Sequence, residues 1–175
     1  MASPTIYMIR HGEKPDDGAN NLSAEGEARA QRLRQVFGKE SGYNIGYIVA
    51  EHPKKDGSEE RPYETVQFLA QDLGVEINSS IHRDDAAGVA RAAKQYKGTG
   101  NILICWEHHK LSDIAKAIGI NGFAESSGWP GKLQYPGSRF DLIWVVPAPY
   151  DEITQVLSED NLKLNTAPTD PETKN

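Results

Sequence analysis

The sequence predicts an α/β fold, a three-layer sandwich with a mostly parallel central sheet. Short apolar, β-prone runs alternate along the chain with amphipathic helical stripes, the pattern of successive strand–helix units. The run Ile102-Leu103-Ile104-Cys105-Trp106 is apolar throughout, as a central parallel strand covered on both faces must be. Two of the runs also end abruptly in ionisable residues, Arg10-His11-Gly12-Glu13 after the first and Glu107-His108-His109 after the other. Buried parallel strands have no reason to finish in such side chains unless their carboxyl ends open on a site. In open α/β sheets that is where ligands bind.

A length of 175 residues fits one domain, assigned to residues 1–164, large enough to bury roughly 70% of the surface its unfolded chain exposes. Hydrophobic content of 38% with 25% charged residues is ordinary for a globular protein in water. No window holds 18 apolar residues in a row, which excludes a membrane-spanning helix. The start of the chain shows no basic-then-apolar leader, and the single Cys105 excludes an intramolecular disulfide and fits a reducing compartment. The expected location is therefore cytoplasmic. A net charge of −6 argues against nucleic acid or an anionic membrane as partner. It leaves a small anionic substrate open, because salt screens distributed charge over about 10 Å whereas two arginines in contact act directly.

Residues 5–9, preceded by Pro4, form the first strand, and Gly12 lets the backbone turn sharply or approach a ligand closely. A polar loop leads to Ser23, a good helix N-cap. Ala30, Leu33 and Phe37 then repeat at helical spacing until Gly38. Residues 45–50 read as the second strand, and the charged loop 51–60 delivers Arg61. Pro62 suits a first helical position and Gly74 the position past the end, while Val66, Leu69, Ala70 and Leu73 share one face. Arg61 is thus expected at the amino end of a helix, where N–H groups and dipole favour an anion. Residues 75–77 read as a third strand, followed by a polar loop with His82, Arg83, Asp84 and Asp85 and then by the stripe Val89, Ala92, Ala93, Tyr96. After strand 102–106, Leu111, Ile114, Ala115 and Ile118 form a fourth helix stopped by Gly119. The stretch 121–139 combines glycines with Phe123, Trp129 and Tyr135, and its length predicts a lid or pocket wall. Residues 140–146 are the last strong strand, 153–157 pair at an edge, and 165–175 read as a disordered tail.

On these residues the chain resembles the histidine phosphatases, the phosphoglycerate mutase-like superfamily. Arg10-His11-Gly12-Glu13 is similar to the family's signature. Leu22-Ser23-Ala24-Glu25-Gly26, with Ala30 and Gln31, resembles the segment that follows it. Arg61 with Thr65 resembles the second phosphate-binding arginine, and Trp106-Glu107-His108 resembles the region of the second histidine. The likeness spans residues 4–157, and the ordered set is far more specific than the four-residue signature. It implies a phosphoglycerate mutase-like fold, a small phosphorylated substrate, no cofactor and no metal. Two positions depart from the pattern: Glu107 stands where the family usually has a small or hydroxyl-bearing residue, and His109 where Gly or Asp is common.

The chemistry of the residues agrees. Arginine forks match phosphate oxygens, so Arg10 and Arg61 suit a phosphoryl group. A neutral imidazole, with an ordinary pKa near 6.5, attacks phosphorus at physiological pH. His11 is that nucleophile, forming a phosphohistidine that water hydrolyses, and His108 donates to the charged oxygens. Asn21 and Ser23 are further candidate phosphate contacts. Three carboxylates are candidates for the proton donor: Asp84 first, then Asp85, then Glu107. The resemblance places the family's donor in the loop after the third strand, although an acidic pair there also suits a helix cap. The expected activity is metal-independent phosphomonoester hydrolysis. The alternatives are a phosphoglycerate mutase-type phosphotransferase and a catalytically weak phosphate-binding pseudoenzyme. A metal hydrolase built on His11, His108 and His109 is disfavoured, since adjacent histidines do not easily put both rings on one metal. His52 and His82 read as solvated loop residues, His109 as a residue at a helix start, Lys14 as a solvated lysine, and Cys105 as core.

Overall fold

The computed structural model describes residues 3–11, 24–52 and 61–159, with Glu25 and Arg61 by backbone alone. In chain order the elements are β1 (Ile6–Arg10), α1 (Ala24–Val36), β2 (Ile45–Ala50), α2 (Arg61–Leu73), β3 (Ile77–Asn78) and α3 (Ala86–Gln95). They continue with β4 (Asn101–Trp106), α4 (His108–Ile118), a 3-10 turn (Glu125–Ser127), β5 (Leu142–Val146) and β6 (Gln155–Ser158). The sheet order is β3-β2-β4-β1-β5-β6. Pairing is parallel from β3 through β2 and β4 to β1, and antiparallel from β1 to β5 and from β5 to β6. This is the mostly parallel sheet that the strand–helix alternation predicts.

The pleat divides the core into two layers. β4 sends Leu103 and Cys105 to one face and Ile102, Ile104 and Trp106 to the other, because successive side chains on a strand point oppositely. α1 and α2 cover the first face with Leu33, Val36, Val66 and Leu69. α3 and α4 cover the second with Val89, Ala93, Leu111 and Ile114. Burying one such side chain contributes about 1.5–3 kcal/mol relative to exposure. β1 therefore hands the chain to one face and its neighbour β4 to the other. Their carboxyl ends part there and leave the crevice expected where strand order reverses.

Some boundaries differ from the sequence expectation. The third strand is only Ile77–Asn78, because Val75 N–H turns back to the Ala70 carbonyl at 3.1 Å to close α2. Gly74 adopts φ 68° in that closure, a conformation glycine takes without steric cost. Tyr96 lies beyond α3 as its C-cap and stacks on Tyr47 with ring centroids 5.0 Å apart. The last strong strand starts at Leu142, since Phe140 lies under the Arg10 guanidinium instead. The edge strand is β6, and Ile153 bridges Phe123 just before it. The Ser23 cap, the loop before it, and the end of the domain with the tail 165–175 lie outside the described residues. Among the described residues no helix is long and apolar enough to cross a membrane.

Candidate active site

β1 and β4 lie side by side with Arg10 opposite Trp106. The ladder runs one residue further, as His11 N–H donates to the Trp106 carbonyl at 3.2 Å. The chain then yields Glu107 as N-cap of α4 and His108 as its first residue. Both histidines therefore leave adjacent strands at the same crevice. Arg10 and His11 are almost wholly buried. α2 begins at Arg61, but the Arg61 side chain lies outside the described residues, as do Gly12, Glu13, Lys14, Asn21 and Ser23.

Arg10 is gripped by the stretch 121–139. Its Nη1 donates to the Gly137 carbonyl at 2.8 Å and to the Arg139 carbonyl at 2.9 Å. Its Cζ lies 3.6 Å from the Phe140 ring centroid, a cation–π contact that fixes the plane of the fork. The stretch is itself tied down: Trp129, Tyr135 and Arg139 are buried, and Arg139 makes a two-point ion pair with Asp141, both contacts 2.7 Å. It forms a wall of the site, and Gly137 brings that wall to the second histidine. A side-chain carbon at residue 137 would stand 3.5 Å from His108 Nε2.

Each of the candidate carboxylates has a partner. Asp85 caps α3, its Oδ1 accepting from Gly88 N–H at 2.9 Å, which is the capping role an acidic pair at a helix start suits. Asp84 makes a 3.1 Å ion pair with Lys110 and keeps 73% of its side chain exposed. Glu107 accepts from Arg83 through both oxygens, at 2.5 and 3.2 Å. The Arg83 carbonyl in turn accepts from Trp106 Nε1 at 3.0 Å, so the loop after β3 is pinned to the end of β4. The Glu107 N–H also points to Glu51 Oε1 at 3.4 Å. Glu51 is a fully buried carboxylate just past β2.

Sequence reasoning passed over Arg83 and Glu51. Glu51 carries the same signal that singled out Arg10, a charged residue directly after a buried parallel strand. Arg83 is adjacent to the aspartates, but only the fold brings it to Glu107, 24 residues on. The rings of His108 and His109 lie 3.9 Å apart, centroid to centroid. His52 and His82 meet edge-on at 5.3 Å, with His52 Nδ1 2.6 Å from the Ser79 carbonyl. Cys105 is fully buried, and burial pushes its thiol well above the ordinary range, as for an inert core cysteine. Among the described residues no group of three or more His, Cys, Asp or Glu is placed to hold a metal ion.

No protein-family model matches this chain, and no curated protein matches it either. Solved structures do. The protein histidine phosphatase SixA complexed with tungstate superposes over 91% of this chain and 99% of its own, with a TM-score of 0.60 and 16% identity. The fold is that of the histidine phosphatases. A SixA protein from Agrobacterium tumefaciens superposes over 89% of this chain and 98% of its own, with a TM-score of 0.56 and 13% identity. In this histidine phosphatase fold, the crevice between β1 and β4 is where the sequence put its two histidines.

Proposed function

We propose that the chain is a phosphatase that acts through a phosphohistidine on His11 without a metal. The observation that carries this reading is the pairing of His11 and His108 at adjacent strand ends, beside an arginine already oriented by Gly137, Arg139 and Phe140. A structural relative takes tungstate, a tetrahedral oxyanion, and the same shape suits a phosphoryl group here. In the first step the neutral His11 imidazole attacks phosphorus and the bond to the leaving group breaks. In the second, water attacks the phosphohistidine and releases inorganic phosphate with His11 restored. Arg10 and Arg61 neutralise the phosphoryl oxygens, and His108 donates to the charge that develops on them. Asn21 and Ser23, which follow His11 in the sequence, add phosphate contacts in this reading.

Asp84 is the proton donor in this reading. Asp85 is committed to its helix cap and Glu107 to Arg83, whereas Asp84 keeps 73% of its side chain exposed beside Lys110. The substrate is a small phosphorylated molecule, and the protein works in the cytoplasm. Quenching the working enzyme in alkaline detergent, which preserves a phosphohistidine, decides the nucleophile. Wild type should carry phosphate on His11 that is labile to acid and stable to base, and His11→Ala should carry none and lose turnover while keeping its circular dichroism. A labelled residue other than His11, or turnover that survives the substitution, would overturn the assignment.

A further inference from the structure

A cavity of about 560 Å³ opens beside His108, lined among others by His109, Ser112, Lys116, Lys132 and Gly137. That volume lies within the usual span of ligand sites, about 300–1,000 Å³. Among the described residues no Asp or Glu lines it, although the chain carries 25 acidic residues against 19 Lys and Arg. We propose that this cavity is a leaving-group subsite for an anionic group, a carboxylate or second phosphate, on the part of the substrate that departs. The assignment presupposes the phosphatase reading above.

The geometry of α4 gives the reason. His108, Ser112 and Lys116 are spaced i, i+4, i+8 and so lie in one row along the helix. With a rise of about 1.5 Å per residue the α-carbons of His108 and Lys116 are about 12 Å apart. Lys116, exposed two turns further along the row, lines the same cavity as His108. Lys132 belongs to the facing wall, the same stretch whose Gly137 holds Arg10 and approaches His108 Nε2. A phosphoryl group set between Arg10 and His108 thus borders a hollow that Lys116 lines from α4 and Lys132 from the facing stretch. Leu133 and the buried Tyr135 are the apolar side chains of a lining that otherwise carries His108, His109, Ser112, Lys116, Lys132 and Gln134.

The test uses two aryl phosphates whose phenols have matched acidity, one bearing a carboxylate and the other its neutral methyl ester. The subsite predicts a kcat/KM ratio favouring the carboxylate by on the order of tenfold at low salt, the scale of partly exposed ion contacts. The ratio should shrink as salt is added, because screening reaches about 10 Å at 0.1 M. Lys116→Glu with Lys132→Glu should bring the ratio below one, and Lys116→Met with Lys132→Met, which adds no repulsion, should bring it to about one. A ratio of one in the wild type, with both esters turned over, overturns the subsite and leaves the phosphatase reading standing. A preference that survives both double variants also overturns it. Turnover of neither ester overturns the phosphatase reading itself, and the subsite with it.

Discussion

Gly137 stands where three parts of the site meet. Its carbonyl orients Arg10, its α-carbon faces His108 Nε2, and it lines the cavity beside α4. Its φ is not among the left-handed ones, so a larger residue is compatible with the backbone, and the position is exposed. Gly137→Leu should therefore fold with nearly unchanged stability yet crowd His108 Nε2. Displacing a catalytic group by about 1 Å costs up to about 10²-fold, and a loss of that size in kcat/KM with an unshifted melting temperature is the expected result. Unchanged kinetics would show that the wall gives way and that Gly137 does not set the position of His108. The role of this glycine was not legible in the sequence, where it was one of four in a long stretch marked by its aromatics. A glycine's contribution lies in what approaches it, and that is decided by partners 127 residues away along the chain.

At the scale of elements, α3 shows how one pair of neighbouring residues divides its work. The Asp85 side chain accepts the Gly88 N–H at the start of α3, whereas Asp84 faces solvent and Lys110. Asp85→Ala should lower stability by about 1 kcal/mol, the usual worth of a lost N-cap, read as a drop in denaturant midpoint, with turnover per folded molecule retained. Asp84→Asn should leave the midpoint within about 0.5 kcal/mol, as exposed substitutions do, and should slow a substrate with a poor leaving group far more than an activated aryl ester. Equal and mild kinetic effects in both variants would remove Asp84 as donor. Strand and helix identity was legible wherever burial on two faces forces a continuous apolar run, as in β4, or on one face forces a stripe, as in α2 and α4. It was least legible in β3 and at the start of β5. There a backbone hydrogen bond from Val75 and a cation over Phe140, neither of which has a local sequence pattern, moved the boundaries. Of the site, the strand-end residues could be read because their polarity contradicts their position, whereas the pairing of Arg83 with Glu107 could not.

Across the whole molecule, the described C-terminal end is joined to the first helix by a buried ion pair. Arg29 of α1 donates to Glu159, just past β6, at 2.7 and 2.6 Å, and each residue is only 1% exposed. The same end touches the wall of the site. Glu159 N–H donates to the Asp141 carbonyl, Asp141 holds Arg139, and the Arg139 carbonyl holds Arg10. Burial pushes the Glu159 carboxyl up, and the charge and hydrogen bonds of Arg29 pull against that rise. Removing one member of such a pair strands the other, and Arg29→Met should cost about 3–5 kcal/mol in unfolding free energy at neutral pH. Adding Glu159→Leu should recover most of that loss, because an apolar pair of similar bulk is often as stable as the ion pair it replaces. The single variant should also show the pH dependence of an uncompensated buried carboxylate. Without Arg29 its folded pKa rises further above the unfolded value near 4.3, so its stability is greatest below that value and falls as pH rises through the folded pKa. The gap between wild type and Arg29→Met should therefore narrow as pH is lowered from 7 toward 5, as measured by urea unfolding. A gap that stays constant over that range would mean that Glu159 finds another cation or water in the variant.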